Sequence, residues 1–209
     1  MIVAELAKDN AALEWRAVPL ADIMAEWADA RSHLIASTTQ DIGWVSTWFS
    51  KANPDCMAVT ARMGGELHMI LALEIVRNGP LVVARLCGGS HANENFPAMT
   101  PAFAAIQPKD AVAAIRHAVQ AFKSDIDIIE LPRLLGELDG VKNPFAFAPG
   151  VTATDIALSF RIDGGFKALL AEKNGSKKQK KIRQMARRME ERGPWTVRPV
   201  TDRDEILAV

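Results

Sequence analysis

Lysines and arginines are concentrated in one stretch of this sequence, from Lys177 to Arg192, which carries eight of them. Ser176 can cap the start of a helix there, and Gly193 can end it. Apolar residues recur at helical spacing, so the helix is expected to dock through a narrow apolar stripe surrounded by its cations. Such cations suit phosphate groups, and we expect anion binding from Lys177, Lys178, Lys180, Lys181, Arg183 and Arg187.

Three interpretations of this basic segment stay open at the level of sequence. It is a solvated connecting helix, a site for a phosphate-bearing ligand, or a contact for nucleic acid. The formal net charge of zero hides an asymmetry, because residues 161–209 hold 13 Lys+Arg against 7 Asp+Glu and the other residues hold 12 against 18. The helix can therefore equally pack against the acidic remainder of the chain. No aromatic residue interleaves the cations, which argues against binding of single-stranded nucleic acid.

A polar loop follows an apolar strand between Gly88 and Phe96. It offers a hydroxyl, an imidazole, an amide and a carboxylate, which can hydrogen-bond a polar acceptor molecule, at Ser90, His91, Asn93 and Glu94. Ser90 and His91 do not form a nucleophile–base pair, since the side chains of adjacent residues diverge. The loop thus predicts binding, with a plain glycine turn as the alternative, and no catalytic residue is assigned.

Other candidate motifs are weaker. Residues 161–166 approach a pyrophosphate-binding turn at a helix start, but Phe166 stands where a small residue is needed, and a capped turn is the simpler interpretation. Cys56 and Cys87 lie in apolar surroundings, far apart in sequence, which predicts two buried free thiols in a reducing compartment, with a disulfide as the open alternative. No metal site is predicted, because four histidines lie at no ligand spacing: His33, His68, His91 and His117.

Alternating apolar residues predict the sheet that positions the polar loop. A first strand spans 13–18, and one helix follows Pro19. A second helix spans 43–50, where Trp44 and Trp48 share a face. Two glycine-containing turns then separate three antiparallel strands, over 57–63, 66–76 and 81–87. The alternation in the second of these strands predicts one apolar face made of Leu67, Met69, Leu71, Leu73 and Ile75.

The second half of the sequence predicts a crossover and then further elements. Asp110 is expected to cap an amphipathic helix, and a strand over 126–131 completes a β–helix–β unit. Residues 132–149 are expected to be irregular, with a strand over 155–162 and a helix over 166–173. Asp202 begins a helix that the sequence carries for about one turn, which predicts an interrupted element. The buried stripe of the crossover helix is expected to be Val112, Ile115, Val119 and Phe122.

Several of these features together resemble the CelD-like family, relatives of the GNAT acetyltransferases with a tandem, FemAB-like layout. The points of resemblance are the Trp44/Trp48 helix, the strand pair over 61–76 and 81–89, Leu131-Pro132 after an apolar strand, and the basic segment that leads into residues 195–207. The resemblance implies a GNAT-like α/β (α+β) fold, with a mixed, largely antiparallel sheet flanked by helices and followed by a basic connecting helix. It also implies N-acyl transfer from acyl-CoA to an amine.

The resemblance further implies how the chain is organised. Residues 1–173 correspond to an N-terminal GNAT-like domain, 174–193 to the basic connecting helix, and 194–209 to the truncated start of a second GNAT-like domain. That missing domain is expected to bind acetyl-CoA or another acyl-CoA, so no cofactor is expected in this chain. A small-molecule amine is the expected acceptor. No membrane partner is expected, because no apolar run is long enough to span a bilayer, and nucleic acid stays the less favoured alternative. No signal sequence or bilayer-length apolar run occurs, so a cytoplasmic location is expected. The acyltransferase half and an anion- or nucleic-acid-binding module are two interpretations of the chain. The third is a purely structural domain, whose exposed apolar face is a lost interdomain contact.

Overall fold

Two units make up the chain, Met1–Ala157 and Leu158–Val209. The computed structural model describes residues 13–148, 150, 164, 165, 168, 171 and 175–196. The first unit contains the helices α1 (Leu20–Ala30), α2 (Ile42–Lys51) and α3 (Pro108–Phe122) and the strands β1 (Glu14–Pro19), β2 (Cys56–Met63), β3 (Glu66–Asn78), β4 (Leu81–Leu86), β5 (Ala98–Met99), β6 (Ile128–Glu130), β7 (Glu137–Leu138) and β8 (Val141–Lys142). The second unit contains α4 (Gly175–Glu190).

The central sheet is mixed and largely antiparallel, as predicted. Its strands lie in the order β1, β2, β3, β4 and β6, and β5 pairs with β3 beyond the end of β4. The first four strands pair antiparallel with their neighbours. β6 instead runs parallel to β4. The connection between these two strands is a crossover that contains α3, and it brings the chain back so that β6 runs in the same direction as β4. The predicted meander and the predicted crossover are both confirmed.

Helices cover both faces of the sheet. On one face, α3 contributes Ala111, Ile115, Ala118 and Val119 to a core that includes Met57, Leu71 and Leu73. On the other face, α1 contributes Leu20, Ile23 and Trp27 to a second core with Ala58, Ile70 and Ala72. Both cores form because β2 and β3 alternate apolar residues that point to opposite sides of the sheet.

A β-bulge corrects the predicted face of β3. The register shifts opposite Ala61 and Arg62, so that Ala61 pairs with Met69 and Arg62 pairs with Leu67. Leu67 consequently packs against the core under α1 and α2, while Met69 belongs to the core under α3. The extra residue in the strand changes the side to which every residue before it points.

The crossover helix begins earlier than predicted. It starts at Pro108, so Asp110 lies in its first turn and is not its cap. Ile115 and Val119 are buried as expected, but Val112 is 40% exposed and Phe122 is 41% exposed. Alanines at 111 and 118 take their places, because small side chains let the helix approach the sheet closely.

The segment expected to be irregular, 132–149, contains the small hairpin β7–β8. Its turn is Asp139-Gly140, and both residues have positive φ. The strand predicted over 155–162 and the helix start at Asp202 lie outside the described residues, as does most of the helix predicted over 166–173. None of the described helices is long and apolar enough to cross a membrane.

Candidate functional site

The carboxyl ends of β4 and β6 meet where the sheet changes from antiparallel to parallel. Ligands of open α/β sheets bind in the crevice outside the carboxyl ends of parallel strands. A ligand site is therefore expected among the residues at these two strand ends. They include the polar loop singled out from the sequence.

The chain leaves the sheet after β4 and forms what we call the β4–β5 loop, residues 87–97. The amide of Cys87 still donates to the carbonyl of Ala72 at 3.3 Å. Gly88, with φ +107°, then turns the chain away, and a Cβ at this position would lie 3.2 Å from the indole nitrogen of Trp44. The chain rejoins β3 at β5, where Ala98 pairs with Ile70. Only glycine fits the first turn of this loop without strain.

Asn95 anchors the loop from its buried position. Its side-chain carbonyl accepts a hydrogen bond from the Thr39 hydroxyl at 3.0 Å, and its amide donates to the carbonyl of Pro132 at 2.9 Å. Arg133 follows, and its guanidinium donates to the carbonyls of Ser90 at 3.2 Å and Ala92 at 2.8 Å. These bonds tie the loop to the segment that follows β6, so the ends of both parallel strands form one hydrogen-bonded structure.

Gln40 closes the gap that β4 leaves in the sheet. It is fully buried, and its side-chain carbonyl accepts from the backbone amide of Ala72 at 3.1 Å. A side chain thus takes the place of a strand at this position of β3. The Gln40 side-chain nitrogen and the indole nitrogen of Trp44 have no hydrogen-bond partner among the described residues.

Glu74 is the charged centre of the site, and only 2% of it is exposed. One carboxylate oxygen accepts from the indole nitrogen of Trp48 and from the side-chain amide of Asn53, each at 3.1 Å. The other oxygen accepts from Nε of Arg85 at 3.0 Å. Every described contact is a donor to the anion, so the carboxylate is compensated in a place where an isolated charge would be costly.

An aromatic wall stands beside this carboxylate. The rings of Trp44 and Trp48, predicted to share a face of α2, stack with centroids 6.4 Å apart and planes inclined by 8°. The His91 ring lies 6.0 Å from the Trp48 ring. Both tryptophans are half-buried and His91 is exposed, so the wall borders solvent. Indole faces of this kind attract organic cations, including protonated amines.

The four loop residues predicted to bind an acceptor do not form one cluster. His91 meets the aromatic wall, whereas Ser90 and Asn93 are exposed and Glu94 is half-buried. The backbone carbonyl of Glu94 shares the single proton of the Thr39 hydroxyl with the side chain of Asn95, which fixes that part of the loop. The sequence analysis missed Glu74, although a lone carboxylate in an otherwise apolar strand is a signal of a buried polar contact.

The two cysteines meet on the helix α2 side of the sheet. Both are buried free thiols, as predicted, and their sulfur atoms lie 4.0 Å apart. The hydrogen bond between them and burial both raise the pKa of the Cys87 thiol. Such a thiol stays protonated and unreactive. The described residues contain no group of three or more potential ligands that could hold a metal ion.

The start of α3 offers little to a diphosphate. Anion sites at helix starts use free backbone N–H groups, whereas this helix begins with Pro108, which has none, and carries the Asp110 carboxylate in its first turn. At the weaker sequence motif, Gly164 and Gly165 have φ of +80° and +76°. The remaining residues of that motif lie outside the described part of the chain.

Two shallow grooves lie along α3, on the opposite face of the sheet from Trp48. The one between α3 and β6 has a volume of about 290 Å³ and includes Arg116, Gln120 and Asp127 in its lining. The other has a volume of about 370 Å³ and includes Lys109 and His117. Neither groove is lined by a residue of the β4–β5 loop, so the polar loop and these grooves are separate surfaces.

The basic helix α4 is exposed on nearly all sides. The six predicted anion-binding residues are all exposed, and Ser176 lies inside the helix, so it is not the cap that the sequence suggested. Gly193, with φ +134°, follows the helix end. The residues of the apolar stripe that the sequence predicts are half exposed, Ile182 by 51%, Met185 by 55% and Met189 by 46%.

No family model and no curated protein matches this sequence. Among solved structures, the chain is similar to the ribosomal-protein-alanine N-acetyltransferase of Brucella melitensis biovar Abortus 2308, with 13% identity over 72% of this chain and 100% of that chain and a TM-score of 0.42. It is also similar to a predicted acetyltransferase with acetyl-CoA from Clostridium acetobutylicum, with 13% identity, coverage of 72% and 97%, and a TM-score of 0.37.

An aminoglycoside N-acetyltransferase in complex with CoA gives a similar result. Its identity to this chain is 12%, the coverage is 59% of this chain and 78% of that chain, and the TM-score is 0.37. At such identities and TM-scores the likeness is one of general outline, and it assigns no activity to this chain.

Proposed function

We propose that the unit Met1–Ala157 binds the amine acceptor of a GNAT-type N-acyltransferase, while a further domain holds the acyl-CoA donor. The observation that carries the proposal is the cluster at the end of β4, where the aromatic wall and His91 border solvent beside the parallel strand pair. The CelD-like tandem arrangement, with a second GNAT-like domain as the partner, belongs to this proposal.

The chemistry at this site follows from its groups. A protonated amine is attracted to the indole faces, and it must lose a proton before it reacts. The neutral nitrogen then attacks the thioester carbonyl, a C–N bond forms and the C–S bond breaks. The nitrogen gives up a proton and the CoA thiolate takes one up, so that the products are an amide and the CoA thiol. Backbone N–H donors stabilise the developing oxyanion in such reactions. This unit supplies the surface that orients the acceptor.

The absence of a phosphate cradle at the start of α3 supports a donor site outside this unit. Pro108 lacks an amide proton, and the Asp110 carboxylate in the same turn opposes the attraction of Lys109 for a phosphate group. The two free thiols are compatible with a reducing compartment, and a cytoplasmic location belongs to the same proposal.

Calorimetric titration of the 209-residue chain with acetyl-CoA, at low and moderate salt, tests where the donor binds. No binding is expected from this chain alone. Tight, stoichiometric binding would overturn the proposal that a further domain holds the donor, and would make the turn at Gly164 and Gly165 the candidate donor site.

Titration with primary amines tests the acceptor side, with an amino sugar, a diamine and a peptide with a free N-terminus as probes. Binding is expected to weaken about tenfold in H91A, since this variant removes the imidazole that lies beside the Trp48 ring. N78A, a change at an exposed residue at the end of β3, is the matched control and should bind as the original chain does. Amine binding that is absent, or equal in all these variants, would leave the unit a purely structural domain or place the acceptor elsewhere.

A further inference from the structure

The helix α4 combines an exposed apolar stripe with a broad basic surface. Ile182, Met185 and Met189 recur at spacings of three and four residues, which places them on one side of the helix. All three are about half exposed. Lys178 lies on the same side, four residues before Ile182, and the remaining circumference carries six lysines and arginines and a single acidic residue, Glu190.

Two properties of this helix must be explained together by whatever it binds. Its cations require an anionic partner, and its stripe requires a partner that accepts apolar side chains. A nucleic-acid backbone satisfies only the first requirement, because phosphate contacts give no role to Met185 or Met189. A bilayer that contains anionic lipids satisfies both, since its surface is negatively charged and its acyl region begins just below the headgroups.

We infer that α4 lies in the surface of an anionic membrane, with Ile182, Met185 and Met189 inserted among the lipids and the lysines and arginines at the phosphate level. The long cationic side chains on either side of the stripe can extend to the headgroups while their methylene groups stay in apolar surroundings. Trp195, which is 39% exposed, lies five residues beyond the helix and is of the type that prefers such interfaces.

This inference revises the expectation that the chain has no membrane partner. That expectation rested on the absence of a membrane-spanning run, and a helix that lies in the surface needs none. Low overall hydropathy with a strongly cationic polar face is typical of interfacial helices. If the apolar stripe were packed against protein, its side chains could not add to membrane affinity. Because the three side chains are about half exposed, they are available for insertion among lipids.

Co-sedimentation of the full 209-residue chain with lipid vesicles tests the inference. Vesicles of phosphatidylcholine with about 30% phosphatidylserine are expected to retain the protein, and vesicles of phosphatidylcholine alone are not. Retention should fall as salt is raised, since the Debye length shortens. Equal binding to both vesicles, or no binding to either, would refute the inference.

Two double variants separate a membrane from a nucleic acid. Lys178 and Lys181 lie beside the apolar stripe, and removal of their charges in K178Q/K181Q is expected to weaken vesicle binding about 25-fold, or about fivefold for each charge. M185Q/M189Q keeps every charge and is expected to weaken it about tenfold or more, because it removes the apolar contribution. If the methionine variant binds vesicles as well as the original chain, and duplex DNA competes fully, α4 is a nucleic-acid helix and the inference fails.

A matched control tests whether the position of the removed charges matters, and not only their number. K51Q/K142Q also removes two exposed lysines, but from the first unit, and should bind vesicles like the original chain. A loss equal to that of K178Q/K181Q would mean that net charge, and not α4, governs binding. Far-UV circular dichroism of each variant checks that α4 still forms.

Discussion

Replacement of Glu74 by glutamine tests whether the buried carboxylate organises the end of β4. The variant E74Q keeps the shape of the side chain but removes its charge and turns one acceptor oxygen into a donor NH₂ group. The three groups around it are all donors: the Trp48 indole, the Asn53 amide and the Arg85 guanidinium. Whichever way the new amide points, at least one pair of donors faces each other.

The size of the effect follows from these contacts. An unsatisfied buried donor costs about 1–3 kcal/mol, and hydrogen bonds to a charged group contribute about 1.5–3 kcal/mol each. Arg85 is 36% exposed and can recover part of its solvation in water, so the main loss comes from Trp48 and Asn53. We therefore expect E74Q to lower the free energy of unfolding by about 2–4 kcal/mol.

Urea unfolding followed by far-UV circular dichroism measures this loss. The matched control is E130Q, because Glu130 is exposed and lies opposite Arg85 in the parallel pair of β4 and β6. An exposed change of this kind should alter stability by less than about 0.5 kcal/mol. If E74Q were no less stable than E130Q, the hydrogen bonds of Glu74 would contribute little and the account of the site's rigidity would be refuted.

Two further predictions concern the β4–β5 loop and the cysteines. G88A should cost about 2–4 kcal/mol, because it adds a contact with Trp44 to the strain of a positive φ, whereas G79A, with φ +60° and no atom within 4 Å of the added Cβ, should cost about 1 kcal/mol. Equal losses in urea unfolding would contradict the contact. The raised pKa of Cys87, caused first by its hydrogen bond with Cys56 and then by burial, lies above the unfolded value of about 8.5. Its contribution to stability is therefore complete below that pH and is lost as the pH rises, by up to about 1.4 kcal/mol per unit. Unfolding curves across pH 8–10 should show this slope and C87A should lack it; identical slopes would count against the buried thiol as the cause.

Local sequence signals were sufficient for the meander. Alternating apolar residues and the glycine turns at Gly64-Gly65 and Gly79 predicted β2, β3 and β4 close to their observed bounds. Asp139-Gly140 is a hairpin signal of the same kind and was not recognised, so the β7–β8 hairpin was missed. Leu67 was placed on the wrong face, because a bulge depends on how two strands pair and leaves no mark in the alternation of one strand.

The candidate site was only partly accessible to sequence analysis. The stacked pair Trp44 and Trp48 follows from a spacing of four residues in a helix, and His91 stood out as a titratable residue in a polar loop. Gln40 and Asn95 could not be found this way. Their roles depend on long-range contacts with Ala72, Thr39 and the segment after β6, which no local pattern encodes.

The buried side chain of Gln40 has a consequence for how motion spreads through the first unit. It protects the Ala72 amide in the middle of the sheet, yet it belongs to a turn whose neighbour Thr39 is bonded to the loop residue Asn95. Opening of that surface loop therefore loosens the turn, and the hydrogen bond from the Ala72 amide to the Gln40 side chain weakens with it. Loop, turn and strand amide form one cooperative unit of local unfolding, although they are separated in the chain. Amide hydrogen exchange at Ala72 consequently reports on the surface loop, while its neighbours in β3 report on the sheet.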